Sequence, residues 1–179
     1  MPIFTVGHSN RSLEELVALL RPFGVQTLVD VRTVPRSRHN PQFNTDVLGA
    51  ALRPHGIAYV HQPALGGLRK PRKDSANAGW RNESFRGYAD YMQTEAFAQA
   101  LEQLIALGGG PATPATTAIM CAEAVPWRCH RSLIADALLA RGVAVQHIMT
   151  PARANPHKLT AFARVDGPHV TYPGLPGVA

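Results

Sequence analysis

The chain has 179 residues, 45% apolar and 17% charged, which suits one folded domain with a sizeable core and excludes general disorder. No apolar run approaches the ~18 residues that span a bilayer, no charged-then-apolar leader opens the chain, and two cysteines make no disulfide framework. The net charge of +6 is concentrated: residues 32–86 hold ten Lys or Arg against three acids, the rest eight against nine, so one segment carries +7 and the remainder −1.

Ile3 to Val6 reads as a buried strand. Ser12 and Glu15 form a capping box before Leu13, Leu16, Val17 and Leu20, so a helix follows and Gly24 closes it. Val25 to Val31 is a second strand. Asn44 caps a helix carrying Val47, Leu48, Ala51 and Leu52, which Gly56 ends. Ile57 to Val60 is a third strand, and 61–87 a long basic loop. Tyr88 to Leu107 reads as one helix with Phe97, Leu101, Leu104 and Ile105 on one face, broken by Gly108 to Pro114. Thr117 to Cys121 is a fourth strand, Arg128 to Arg141 a helix capped by Gly142, and Val143 to Met149 a fifth strand. The tail from about 150 is irregular, with a last strand near His169 to Tyr172. The expected fold is a single three-layer α/β domain: a mostly parallel sheet of about five strands with helices on both faces.

In such sheets ligands bind beyond the carboxyl ends of the strands. Four polar segments follow predicted strands there: Gly7-His8-Ser9-Asn10, Arg32 to His39, Leu65 to Arg69, and Cys121-Ala122-Glu123 through Trp127 to Arg131. Cys129, His130 and Arg131 are expected in the first turn of a helix, whose free N–H groups favour a thiolate or a bound oxyanion. Arg128 and Arg131 would lower a thiol pKa there. The candidate catalytic residues are therefore Cys121 or Cys129 as nucleophile, with Glu123, His8 or His130 moving protons. Ser9, Arg32, Arg36, Arg38, Arg69, Arg128 and Arg131 are candidate substrate-binding residues, since Arg forks hold phosphate bidentately.

Plainer readings stand beside these. A cysteine is often a small buried hydrophobe. Asp30 and Arg32 can form an internal ion pair, and His8 can cap a loop. Cys121, Cys129 and His130, completed by His8 or His39, could hold a metal, and Cys121 and Cys129 could oxidise to a disulfide. Trp80, Phe85, Tyr88 and Tyr91 among Arg81 and Arg86 suit stacked bases, or anchor the long loop to the core. His55, His61, His147 and His169 fit ordinary surface or packing roles. The leading expectation is an enzyme acting on an anionic substrate, a nucleotide or nucleic acid. The alternatives are a non-catalytic nucleic-acid-binding protein and a metal-binding protein. The expected compartment is the cytoplasm, with no membrane partner; neither a cofactor nor an oligomeric state is read from the sequence.

Two cysteine-loop templates give partial matches. A tyrosine-phosphatase loop counted from Cys121 needs Arg at a position held by Trp127. Leu28-Val29-Asp30-Val31-Arg32 and the helix entered at Arg131-Ser132 resemble parts of a rhodanese-like fold, but Cys121 lies ten residues before Arg131. A fuller set of motifs comprises Gly7-His8-Ser9, Asp30-Val31-Arg32, Pro35-Arg36-Ser37-Arg38, Pro41-Gln42-Phe43-Asn44 and Leu65-Gly66-Gly67. It continues with Phe85 to Met92, Met120 to Glu123, Pro126 to Arg131 and His157-Lys158-Leu159-Thr160. This ordered set resembles domain-of-unknown-function family 488 over nearly the whole chain. The resemblance implies a bacterial or archaeal intracellular α/β protein without an established reaction. It points to the cysteine–glutamate and cysteine–histidine–arginine motifs as the site.

Overall fold

Alternation along the strands decides the layers. In β1 (Ile3–Gly7), Ile3 joins one buried apolar cluster while Phe4 and Val6 join another on the opposite side of the sheet. The same division runs through β2 (Thr27–Asp30), where Val29 faces one cluster and Leu28 the other, and through β4 (Thr117–Cys121), with Ile119 against Ala118 and Met120. Helices α1 (Leu13–Leu20) and α2 (Thr45–Leu52) cover one face with Leu16, Leu20, Leu48 and Leu52. Helices α3 (Glu83–Tyr91), α4 (Glu95–Gly108) and α5 (Arg131–Ala140) cover the other with Tyr88, Leu101, Leu104, Leu133 and Leu138.

With β3 (Ala58–His61), β5 (Val145–Thr150) and β6 (Arg153–Pro156), the strands pair in the order β3-β2-β4-β1-β5-β6. β1 to β5 run parallel and β6 antiparallel to β5. A two-stranded ribbon, β7 (Arg164–Asp166) and β8 (His169–Thr171), lies outside this sheet. The structure, a computed structural model, describes residues 1–108 and 115–175. It is the mostly parallel three-layer α/β fold that the alternating pattern predicts. No helix among the described residues is long and apolar enough to cross a membrane.

Several boundaries differ from the pattern for local reasons. The long loop is shorter than expected: Pro63–Leu65 is a 3-10 turn, and α3 begins at Glu83 because the Asn82 side chain accepts from Ser84 and Phe85 N–H. The helix expected over 88–107 is two, since Thr94 starts a new one by accepting from the Phe97 N–H. Asn44 precedes α2 but its side chain accepts from the Ser37 N–H instead of capping the helix. Gly108 is the last residue of α4, and the rest of the expected break, 109–114, lies outside the described residues. β6 and β7 carry no apolar alternation; short edge strands rarely do.

The loop before α3 is held by one carboxylate. Asp90 accepts from Ser75 Oγ at 2.6 Å, Asn77 Nδ2 at 2.8 Å and the Arg72 N–H at 2.8 Å. Asn77 passes the order on, accepting from the Tyr172 N–H at 2.9 Å. Trp80 packs against Phe85, Phe162 and Tyr172. We expect Asp90→Ala to lower stability by about 2–4 kcal/mol in urea unfolding, because buried donors lose their acceptor, with Asp90→Asn milder.

Candidate active site

β1 and β4 lie side by side, but the chain leaves β1 toward α1 on one face and β4 toward α5 on the other. Such a divergence opens a crevice at the carboxyl ends. Beyond the strands the ladder continues, with His8 N–H donating to Cys121 O at 3.0 Å and Ser9 N–H to Ala122 O at 2.9 Å. This brings the Glu123 carbonyl onto Gly7, where any Cβ would overlap it. Glycine at position 7 therefore lets the segment after β4 fold down over β1. Ser9 makes the turn with φ 50°.

Cys121 ends β4, and Cys129 follows a 3-10 turn at Pro126–Arg128. Cys129 is not in the first turn of α5: it is extended (φ −132°, ψ 145°), and the helix starts two residues later. Its Sγ nevertheless accepts from the Arg131 N–H at 3.5 Å, so the thiol binds a helix-terminal donor from outside. The Arg131 Nε lies 3.4 Å from the same sulfur, and His130 Nδ1 at 3.7 Å. His130 Nε2 donates to Val31 O at 3.1 Å, which fixes the ring with Nδ1 toward the thiol. Tyr88 and Gly67 pack against that ring. The donor atoms of Cys121, Cys129 and His130 lie within 4.8 Å of one another. They open into a pocket of about 290 Å³ also lined by Leu68, Ser84, Phe85, Glu123 and Arg128.

The surroundings drive the two thiols in opposite directions. Burial pushes the Cys129 thiol up, but the hydrogen bond from Cys121, the hydrogen bond and charge of His130 and the Arg131 charge together hold it well below the ordinary range. Cys121 is pushed up by its hydrogen bond to Cys129 and by burial, so it keeps the proton. Arg131 adds to this from the Cys129 side, where its backbone N–H and Nε meet the sulfur. It is 1% exposed and, among the described residues, has no carboxylate partner. Its other contacts are the Glu123 carbonyl at 2.6 Å and Thr5 Oγ1 at 3.3 Å, both neutral. A buried cation without a counter-charge is costly, and a Cys129 thiolate supplies one.

The other candidates separate clearly. Arg32 is bound to Asp30 by Nε at 2.9 Å and Nη2 at 2.6 Å, and it also donates to Phe43 O, so it forms the internal ion pair. His8 receives Arg32 Nη1 on Nε2 at 3.2 Å and donates Nδ1–H to Ser9 O at 2.7 Å, leaving neither nitrogen free. Arg69 lies over the Tyr91 ring, 3.7 Å from its centre. Arg36 and Arg38 are exposed on the loop after β2, without ion-pair partners among the described residues and away from the thiol pocket. Ser9 Oγ donates to Asn10, outside the pocket lining, and His39 is exposed. The structure thus gathers Cys121, Cys129, His130, Arg131, Arg128 and Glu123, and leaves His8, Ser9, Arg32, Arg36, Arg38 and Arg69 outside the lining of the thiol pocket.

Sequence reasoning missed a buried polar chain behind the thiols. Thr5 Oγ1 meets His147 Nδ1 at 2.7 Å, His147 Nε2 meets His157 Nδ1 at 2.9 Å, and His157 Nε2 meets Asp136 Oδ1 at 2.8 Å. Tyr172 donates its hydroxyl to the other Asp136 oxygen at 2.7 Å. One orientation satisfies every group: Arg131 donates to Thr5, Thr5 to His147, His147 to His157, and His157 to Asp136. The legible signals were an acid inside an Ala/Leu helix and a histidine inside an apolar strand.

These features define a three-layer α/β protein with a paired-thiol pocket at the carboxyl ends of its parallel strands. A family model described as a domain of unknown function, DUF488, matches residues 12–138, and the chain belongs to that family. No curated protein and no solved structure matches it.

Burial, with the Arg32 charge, lowers His8 to about 4 against the opposing Ser9 hydrogen bond; burial, with the His157 and Arg131 charges, lowers His147 to about 4. Unfolded histidines take up protons near pH 6.5, while these two do not until about pH 4. The unfolded state thus binds more protons across that window, and stability falls as pH drops through it. We expect urea midpoints to decline over that interval, with a shallower decline in His147→Gln.

Proposed function

We propose that the protein is a cysteine-dependent enzyme, a transferase or hydrolase acting on an anionic, phosphate-bearing substrate, with the Cys129 thiolate as nucleophile. The observation that carries this reading is the buried Arg131 guanidinium set on the Cys129 sulfur with no carboxylate among the described residues to neutralise it. Cys121 is the proton-bearing thiol beside the nucleophile, and His130 is held with Nδ1 toward it. Arg128, exposed at the pocket wall and unpaired among the described residues, is the group placed to hold the anion. The nucleic-acid reading loses its stacking rings. Trp80 packs in an aromatic group, Tyr88 is buried with its hydroxyl on Leu65 O, and Tyr91 carries Arg69.

A metal-binding reading is favoured by the proximity of the three soft donors. Arg131 argues against it, because a cation already contacts the sulfur that would ligate another.

At pH 6 an ordinary thiol of pKa about 8.5 is under about 1% thiolate. We expect iodoacetamide to label Cys129 at least about tenfold faster than a free thiol at pH 6. Cys121→Ser should remain labelled at Cys129, and Arg131→Met should be labelled quickly only at alkaline pH. Equal, slow labelling of both cysteines would overturn the proposal. So would near-stoichiometric zinc or iron in protein purified under reducing conditions, lost in Cys121→Ser.

A further inference from the structure

On the other side of the Pro126–Arg128 turn lies a larger cavity, about 500 Å³, that the thiol chemistry does not use. That volume is within the range of small-molecule sites, about 300–1,000 Å³. Both tryptophans of the chain line it. Trp80 is packed among other rings, but Trp127 is 65% exposed and makes no ring contact among the described residues. A large aromatic left open on a short, Pro-started turn at a cavity wall presents a flat face to a ligand. Opposite in chemistry is Lys158, an exposed cation with no ion-pair partner among the described residues. Among the described residues no acidic side chain lines the cavity, so the charge that Lys158 brings to its wall is unopposed there. Asn155, also lining it, has Oδ1 engaged by Arg153 Nε at 2.8 Å and its amide nitrogen without a partner among the described residues.

A stacking ring, a lone cation and a free amide donor in one concave site match a heterocycle bearing a phosphate. We propose that this cavity binds a nucleoside monophosphate, its base on Trp127 and its phosphate at Lys158. The two segments that supply these groups, Pro126 to Arg131 and His157 to Thr160, were singled out in the sequence, yet the thiol site uses only the end of the first. The wall behind the ligand is rigid, since every ring nitrogen of His147 and His157 is engaged in the chain to Asp136. This site stands independently of the thiol reading.

Because no other tryptophan exists, selectively excited tryptophan fluorescence reports on this cavity alone. The test titrates the full-length protein with AMP, GMP, CMP and UMP, with adenosine and inorganic phosphate as separate arms. We expect saturable quenching by at least one monophosphate below ~1 mM, weaker quenching by adenosine, and none by phosphate. Trp80→Phe should keep the quench, which assigns it to Trp127. By calorimetry, Trp127→Ala should weaken binding about tenfold, as loss of a stacked base does. Lys158→Ala should weaken the monophosphate but not adenosine, and Cys129→Ser should bind as the wild type does. No saturation by ~5 mM with any monophosphate would overturn the proposal. Wild-type affinity in Trp127→Ala and Lys158→Ala would also overturn it.

Discussion

The structure turns on a cation that has been taken out of water without a carboxylate partner among the described residues. Arg131 opens α5, and its guanidinium reaches the Cys129 sulfur, the Glu123 carbonyl and the Thr5 hydroxyl. A carbonyl and a hydroxyl contribute dipoles, not charge. The thiol is the one group among these contacts that can become an anion, so the burial of Arg131 and the ionisation of Cys129 are a single electrostatic arrangement. The backbone around it follows. Glu123 O can reach the guanidinium only because the chain after β4 lies on Gly7, and Thr5 reaches it from β1, the strand that neighbours β4.

Arg32 shows the contrast within one molecule. It too is buried at a strand end, but Asp30 lies two residues before it and meets it with two hydrogen bonds. Tyr59 donates to the same carboxylate at 2.7 Å, and its own ionisation is pushed up to about 12, mainly by burial. A neutralised arginine of this kind braces the loop after β2 through Phe43 O and has no charge left for a ligand. Both arginines follow a strand in a polar motif, so residue type and position alone rank them equally. Their roles divide on whether a carboxylate stands in reach.

That division sets how much of the protein was legible in its sequence. The layers were readable because β1, β2 and β4 are short, nearly continuous apolar runs, as strands covered on both faces are, and apolar residues repeat at helical spacing in α1, α4 and α5. The edge where the site sits followed from topology. Cys121, Cys129 and His130 stood out as candidates because soft, titratable side chains in the segment after a strand are rare. What stayed hidden depends on long-range partners. The Thr5–His147–His157–Asp136 chain joins residues 142, 10 and 21 positions apart, and no local pattern encodes such pairings. The order of the basic, aromatic loop was hidden for a related reason. Its composition resembles a nucleic-acid surface, while its order comes from Asp90, which sits in the helix after it.

The chain behind Arg131 also bears on why the thiol site lies where it does. Arg131 and Asp136 are opposite charges on one helix, both fully buried, and they are joined only through Thr5 of β1, His147 of β5 and His157 beyond β6. A direct ion pair would have drawn the guanidinium away from Cys129 and quenched it, as Asp30 does for Arg32. Passing the carboxylate's influence through a line of hydrogen-bonded side chains instead orients Thr5 toward Arg131 while leaving the guanidinium on the sulfur. The same chain ties α5 to the middle of the sheet and to its far edge. It therefore fixes the relative position of the thiol pocket and the tryptophan-lined cavity, which share the Pro126–Arg128 turn as their partition. A fold that needed only a stable core would have no reason to bury six polar side chains in this line, since replacing them with packed apolar groups is often neutral or stabilising. Their arrangement is intelligible as the support of an unneutralised charge next to a sulfur.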